Sequence, residues 1–266
     1  MNLLFFPVAA LAALLFAAGY KAGMRPGSSG VSRLLYAAAV VCALPGVLFA
    51  VYYLHLFDDA VWFYRFRSLP LSELTASGAG LLAGLLHAWT VRKGLRVRPL
   101  LPGLLLAGLF IPYMKPLVAP LDLSSLAAEC RDGVCLQSTP STCGPSSVAS
   151  ILRLFNIEET EKTLAQEAYT SSGGTENWYL ARALRRRGFP VEYVVVDRPV
   201  ARLPFPSVAG VVLPGGTGHY ISVLGETGTT YVVGDPMHGK VSVPKARPGA
   251  AYTFTGFFMV VGKPGA

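Results

Sequence analysis

Cys143 is the residue whose position in this sequence most favours chemistry. It lies in the stretch "TCGPSSVAS", directly before a Gly-Pro pair. Apolar residues then recur at helical spacing, so we predict a helix over residues 143–155 with the thiol at its first turn. The partial positive charge of a helix N terminus favours the thiolate, which is the nucleophilic form of cysteine. We therefore interpret Cys143 as a nucleophile, the alternative being a buried structural thiol.

A candidate base and a candidate orienting group follow in the second half of the chain. His219 opens the strand-like "GHYISVLG", and Asp235 closes the next strand-like stretch, "TTYVVGD". If the two strands form a hairpin, the two side chains come together at one end, as a Cys–His–Asp arrangement requires. Gln137, six residues before Cys143, is placed to offer an amide N–H to an oxyanion. His238 is a competing base, but it falls in a turn.

The remaining cysteines predict a disulfide and no metal. Four residues separate Cys130 from Cys135, a spacing that allows a small-loop disulfide in an oxidising compartment. The alternative is two free thiols in a reducing cytosol. A metal site that combines this pair with Cys143 lacks a supporting histidine or a further closely spaced cysteine pair. We predict neither a metal nor another cofactor.

Residues 124–266 have the pattern of a globular α+β domain. Helical patterns come first, over residues 143–155, 158–169 and 175–187. Strand patterns follow over residues 191–196, 207–213, 219–225, 229–235 and 252–261, separated by loops rich in Gly and Pro. Helices followed by strands predict segregated layers. The basic run Arg185–Arg187 is interpreted as a solvated helix end.

The first 120 residues have the composition of membrane helices. Only 14% of the whole chain is charged, against about 25% in soluble domains, and the deficit lies in this part. Four apolar segments approach the roughly 20 residues that a span needs; they are residues 3–20, 34–55, 74–91 and 100–120. The first resembles a signal peptide, but no Lys or Arg precedes its apolar core. We predict domains 1–122, a bundle of about four transmembrane helices, and 123–266.

Basic residues beside these segments predict the membrane orientation. The formal net charge is +8, but it lacks the basic-aromatic pattern of a nucleic-acid binder, so we predict no nucleic-acid partner. Lys and Arg lie in the connections after the first and third segments. This predicts that both connections are cytoplasmic and that, with four spans, both termini lie outside. The aromatic run Trp62–Tyr64, in the second connection, suits a membrane interface.

Four blocks of the sequence resemble the C39 family of cysteine peptidases. They are "QSTPSTCGPSS", "GGTENWYLARALRRRGF", "GHYISVLG" and "GDPMHGK", in the family's order. The resemblance implies a papain-like α+β domain with helices packed on an antiparallel sheet. It also implies Cys143 as nucleophile, His219 as base, Asp235 as orienting group and Gln137 as oxyanion donor. Family members that trim double-glycine leaders carry this domain before their transporter spans, whereas here it follows the apolar segments.

The sequence thus predicts a membrane-anchored cysteine endopeptidase of a bacterial cytoplasmic membrane, with its peptidase domain on the extracytoplasmic side. Its expected partners are a peptide or protein substrate, such as one with a Gly-Gly-type leader, the lipid bilayer, and secretion or export proteins. The alternative is a membrane protein that binds peptides or assists secretion without cutting.

Overall fold

The chain forms two compact units. The computed structural model describes residues 3–25, 29–56, 58–97, 99–127 and 129–265. The first unit comprises Met1–Asp58 and Pro70–Val118, and the second comprises Asp59–Leu69 and Ala119–Ala266. The domains predicted from the sequence, 1–122 and 123–266, stay a prediction, and they did not anticipate that segment Asp59–Leu69 groups with the second unit.

Helices account for the first unit and open the second. In chain order the α-helices are α1 (Phe5–Met24), α2 (Ser29–Tyr52), α3 (Val61–Arg67), α4 (Ala79–Arg92), α5 (Leu100–Val118), α6 (Cys143–Arg153), α7 (Glu161–Glu167) and α8 (Asn177–Arg186). Short 3-10 helices span Ser72–Gly78, Leu123–Ser125 and Pro248–Ala250.

Strands form two antiparallel sheets in the second unit. They are β1 (Cys130–Arg131), β2 (Val134–Cys135), β3 (Val191–Val195), β4 (Ser207–Val212), β5 (Gly218–Thr227), β6 (Thr230–Asp235), β7 (Gly239–Pro244) and β8 (Thr253–Val261). Strands β1 and β2 pair as a small hairpin, and the larger sheet has the order β3-β8-β4-β5-β6-β7.

Small residues bring α1 and α4 of the first unit into close contact. A Cβ atom at Gly80 would lie 2.1 Å from the Ala12 carbonyl oxygen, and one at Gly84 would lie 2.1 Å from that of Phe16. Such close backbone approach is typical of helices packed in a membrane. Within the described residues, three stretches are long and apolar enough to cross one: Phe5–Met24, Arg33–Tyr52 and Ser72–Arg92.

The larger sheet encloses the core of the second unit. Buried side chains from its central strands, among them Val211, Ile221, Val233 and Phe258, form one apolar cluster. The predicted α+β class, with helices packed on an antiparallel sheet, is confirmed. Strand β7 was not predicted from the sequence.

The helix α3 packs against α8 and the β3–β8 edge of the sheet. Phe63 meets the Trp178 ring edge-on at 6.1 Å, and the Tyr64 ring lies 5.5 Å from Tyr193 and 5.2 Å from Phe257. Phe63 and Tyr64 are buried. Their predicted place at a membrane interface is therefore wrong, because both pack inside the second unit.

Two arginines of α8 bind the C-terminal end of α3. Arg182 Nη2 donates to the Arg67 carbonyl at 2.6 Å, and Arg185 Nη1 donates to Ser68 Oγ at 2.6 Å. These carbonyls and hydroxyls lie at the negative end of a helix, where a cation is favourable. The expectation that Arg185 is solvated is corrected accordingly.

Candidate active site

Cys143 is the first residue of α6, as its sequence context predicts. Its thiol is free and buried. The helix is tied to β5 by Ser147, whose Oγ donates to the Tyr220 carbonyl at 3.2 Å, and to the chain after β2 by Ser146, whose Oγ donates to the Leu136 carbonyl at 3.3 Å. These bonds hold the N-terminal turn of α6 beside the start of β5.

Gly144 allows α6 to approach α8 closely. A Cβ atom at this position would lie 2.8 Å from Leu180 Cδ1 and 3.4 Å from Tyr220 Cδ2. Leu180 is fully buried and has little room to move. The pairing of cysteine with glycine therefore has a steric reason, because a side chain here would push the nucleophile's helix away from its neighbours.

His219 and Asp235 form a buried pair on adjacent strands. His219 lies at the start of β5, Asp235 is the last residue of β6, and the two strands pair antiparallel, as the predicted hairpin requires. His219 Nε2 lies 3.1 Å from Asp235 Oδ1. Nδ1 is then the ring nitrogen left for the sulfur, and the Cys143 thiol is near enough to raise the pKa of the imidazole.

The site favours a charged imidazole and a charged carboxylate. Burial opposes the imidazolium, but the hydrogen bonds and charges of Asp235 and Cys143 outweigh it and raise the pKa of His219 to about 9. Burial also opposes the carboxylate, yet four hydrogen-bond donors hold the pKa of Asp235 below its usual range. An imidazolium beside a thiol stabilises the thiolate, which is the form that attacks.

Those four donors divide evenly between the two oxygens of Asp235. Oδ1 accepts from His219 and from the Met237 backbone N–H at 2.9 Å. Oδ2 faces His238 Nδ1 at 2.9 Å and accepts from the Tyr252 hydroxyl at 2.8 Å. His238, the competing candidate base, therefore contacts the Asp235 carboxylate and does not take the position of His219. Its side chain is 65% exposed. Sequence reasoning missed Tyr252, because a tyrosine 17 residues beyond Asp235 carries no motif.

Gln137 follows the β1–β2 hairpin. Its backbone N–H donates to the Pro236 carbonyl at 2.9 Å, which places it beside the residue after Asp235. Its side-chain Oε1 is buried and has no hydrogen-bond partner among the described residues. The next residue, Ser138, is fixed by the Glu161 carboxylate. The oxyanion role of Gln137 stays a prediction.

Cys130 and Cys135 are joined as a disulfide across the β1–β2 hairpin, with their Cα atoms 3.9 Å apart. The Cys135 backbone N–H donates to Ser150 Oγ of α6 at 2.8 Å. The disulfide therefore closes the hairpin that leads into Gln137 and lies against the helix that carries the nucleophile.

A family comparison agrees with this geometry. The model of the peptidase C39 family matches residues 131–264, half of the chain and the part that contains the Cys–His–Asp residues. The chain belongs to the peptidase C39 family. Membership indicates a cysteine peptidase, and the resemblance drawn from the four sequence blocks is confirmed.

Two relatives each cover about half of this C39 chain. An uncharacterized protein of Methanothermobacter thermautotrophicus is 29% identical over 136 residues, 49% of this chain and 89% of its own length. One of Methanothermobacter marburgensis is 30% identical over 125 residues, 47% of this chain and 84% of its own length.

Two similar solved structures also cover about half of this C39 chain. The peptidase domain of Streptococcus ComA, a bifunctional ABC transporter of a quorum-sensing pathway, is 21% identical with a TM-score of 0.41, covering 48% of this chain and 95% of that domain. A double-glycine motif protease from an AMS/PCAT transporter, solved with its leader peptide, is 20% identical with a TM-score of 0.42, covering 52% and 93%.

Two surface cavities of the C39 unit lie away from the candidate site. One of about 250 Å³ and one of about 200 Å³ share Arg153 at the C-terminal end of α6. Neither is lined by Cys143, His219 or Asp235. Neither of these two cavities is therefore part of the candidate catalytic site.

The raised pKa of His219 predicts a pH-dependent stability. A group whose pKa is higher in the folded state contributes stability below its unfolded value, about 6.5, and loses that contribution as pH rises through about 9. Asp235, whose pKa is lowered, contributes stability above about pH 4, so its contribution stays constant over this pH window. We expect the difference in unfolding free energy between wild type and His219→Gln to shrink from pH 6 to pH 9.5 in urea titrations. A difference that does not vary with pH contradicts the assignment.

Proposed function

We propose that this chain is a membrane-anchored cysteine endopeptidase in which Cys143, His219 and Asp235 cleave a peptide or protein substrate. The observation that carries the proposal is the buried hydrogen bond between His219 of β5 and Asp235 of β6, with the Cys143 thiol at the start of α6 acting on the same imidazole.

The proposed reaction is peptide hydrolysis through a thioester. The Cys143 thiolate attacks the scissile carbonyl, and the resulting oxyanion accepts hydrogen bonds from the Gln137 amide and a backbone N–H at the start of α6. His219 gives its proton to the leaving amine. It then takes a proton from the water that attacks the thioester, which releases the carboxylic acid product and frees the sulfur.

We extend the proposal to substrates with small residues before the cut. The Tyr220 ring packs beside Gly144, 3.4 Å from where a Cβ atom would stand and one residue from the nucleophile. A Gly-Gly-type leader is the substrate we propose; the similar double-glycine motif protease was solved in complex with its leader peptide. Secretion or export proteins are the partners that this substrate implies.

The proposed location of the C39 unit is the extracytoplasmic face of a cytoplasmic membrane. Three candidate spans support anchoring. The basic residues of the first and third connections favour cytoplasmic loops there. The Cys130–Cys135 disulfide is consistent with an oxidising compartment.

One labelling experiment tests both the nucleophile and the side. Intact cells that produce the chain are treated with a membrane-impermeant electrophilic peptide ending in Gly-Gly, and the labelled protein is quantified by mass spectrometry. We expect labelling of wild type and of the matched control Cys42→Ala, which lacks the other free cysteine, and no labelling of Cys143→Ala. Peptidomics of the same strains should show an unprocessed peptide that accumulates only in Cys143→Ala.

The outcomes separate the parts of the proposal. If Cys143 is labelled only after cell lysis, the extracytoplasmic location is rejected, but the assignment of Cys143 as the nucleophile stands. Equal labelling of Cys143→Ala rejects the nucleophile. Specific labelling of Cys143 with unchanged peptide pools in Cys143→Ala supports the alternative, a peptide-binding protein that does not cut.

A further inference from the structure

Only the Oδ1 atom of Asp235 faces the candidate base, so the role of the Oδ2 atom needs an explanation of its own. Asp235 is fully buried, and a buried carboxylate oxygen needs hydrogen-bond donors to remain charged. Two side chains supply them to Oδ2, from Tyr252 and His238. Both donors lie outside the group of residues that the C39 resemblance assigns to the reaction.

Tyr252 is the more permanent of these two donors. It lies between the 3-10 helix Pro248–Ala250 and β8, its ring packs 6.1 Å from that of Phe254, and it is half-buried against the core of the sheet. His238 is mostly exposed, so water can replace it. Burial and the neighbouring carboxylate raise the pKa of Tyr252, so its hydroxyl stays protonated and acts as a donor at physiological pH.

The placement of the donor fixes the orientation of the carboxylate. A carboxylate can rotate about its Cβ–Cγ bond, and rotation would turn Oδ1 away from His219 Nε2. With the Tyr252 hydroxyl at 2.8 Å from Oδ2 and the Met237 N–H at 2.9 Å from Oδ1, both oxygens are held where they are. We propose that Tyr252 is a positioning residue, whose hydroxyl holds the Asp235 carboxylate toward His219 and so maintains the imidazolium–thiolate pair. This inference rests on the proposed function only for the identity of the reacting groups.

Tyr252→Phe removes the hydroxyl and keeps the ring that packs on Phe254. The readout is the rate at which iodoacetamide alkylates Cys143 in a Cys42→Ala background, so no substrate needs to be known. We expect the rate at pH 6.5 to fall about fivefold, because a loosened carboxylate supports the imidazolium less well. At pH 9.5, above the pKa of about 9 of His219, the imidazole is largely uncharged in both proteins, so the two rates should be equal.

Two comparisons separate positioning from a general effect on the fold. Tyr231→Phe is the matched control. The Tyr231 hydroxyl lies in the same core and accepts from the Leu203 N–H at 3.3 Å, away from Asp235. We expect this variant to be alkylated at the wild-type rate. In an Asp235→Asn background, Tyr252→Phe should add no further loss, since the two residues act through one contact.

Three results would overturn the inference. They are a wild-type rate for Tyr252→Phe at pH 6.5, an equal loss at both pH values, and losses that simply multiply in the double variant. The proposed proteolysis fails differently. If no peptide is cut but the Tyr252 effect on alkylation is present, the positioning role stands and only the peptidase assignment falls.

Discussion

His219→Gln is expected to lower kcat for the processed peptide by a factor on the order of 10⁴. Glutamine keeps the approximate size of the imidazole and can donate to Asp235, but it cannot carry the proton that the sulfur gives up. The sulfur would then have no base to take its proton, and the leaving amine would have no acid. The measurement is the single-turnover rate on the peptide that accumulates in Cys143→Ala cells.

The control for this variant is His55→Gln. That histidine is exposed and pairs with Asp58 in the first unit, so its replacement should leave the rate within about twofold of wild type. A His219→Gln enzyme that cuts at a rate near wild type would show that another group, such as His238, is the base. Thermal unfolding of each variant should accompany the rates, so that loss of the folded unit is not read as loss of chemistry.

Tyr64→Ala is expected to destabilise the second unit by about 3–5 kcal/mol. Tyr64 is 3% exposed and contacts the rings of Tyr193 and Phe257, so truncation leaves a cavity at the junction of α3 with the sheet. Scanning calorimetry in detergent should show the transition of this unit about 10 °C lower.

The neighbouring Trp62→Ala is the matched control, because Trp62 belongs to the same helix but is 53% exposed. We expect its effect to stay within about 1 kcal/mol. Equal destabilisation by both substitutions would mean that the burial of Tyr64 does not set the contribution of α3, and no effect of Tyr64→Ala would mean that α3 does not pack there in solution.

Local pattern predicted the elements that carry the candidate nucleophile, base and orienting group. Helix α6 has the expected start at Cys143, and the predicted hairpin brings His219 and Asp235 together, because apolar periodicity and turn residues act over short distances. Strand β7 was missed, since "GKVSVP" holds only two valines between a glycine and a proline. Tyr252 was missed because its partner is set by tertiary packing.

The role of Phe63 and Tyr64 shows a different limit. Aromatic residues between two apolar segments are equally suited to a lipid interface and to a protein core. The sequence holds no signal that distinguishes these surroundings, because the partners of α3 lie far along the chain: Arg182 follows Arg67 by 115 residues. The family resemblance could not help either, since its match begins at residue 131.

The position of α3 has a consequence for topology if the chain is anchored as proposed. Segment Asp59–Leu69 and residues 119–266 form one compact unit, so both must emerge on the same face of the bilayer. A chain returns to one face only after an even number of crossings, and the candidate span Ser72–Arg92 provides one. Helix α5, with 19 residues and a length of about 28 Å, must then provide the second. If the chain is anchored as proposed, parity makes α5 a fourth crossing and places the N terminus on the same face as the Cys143 thiol.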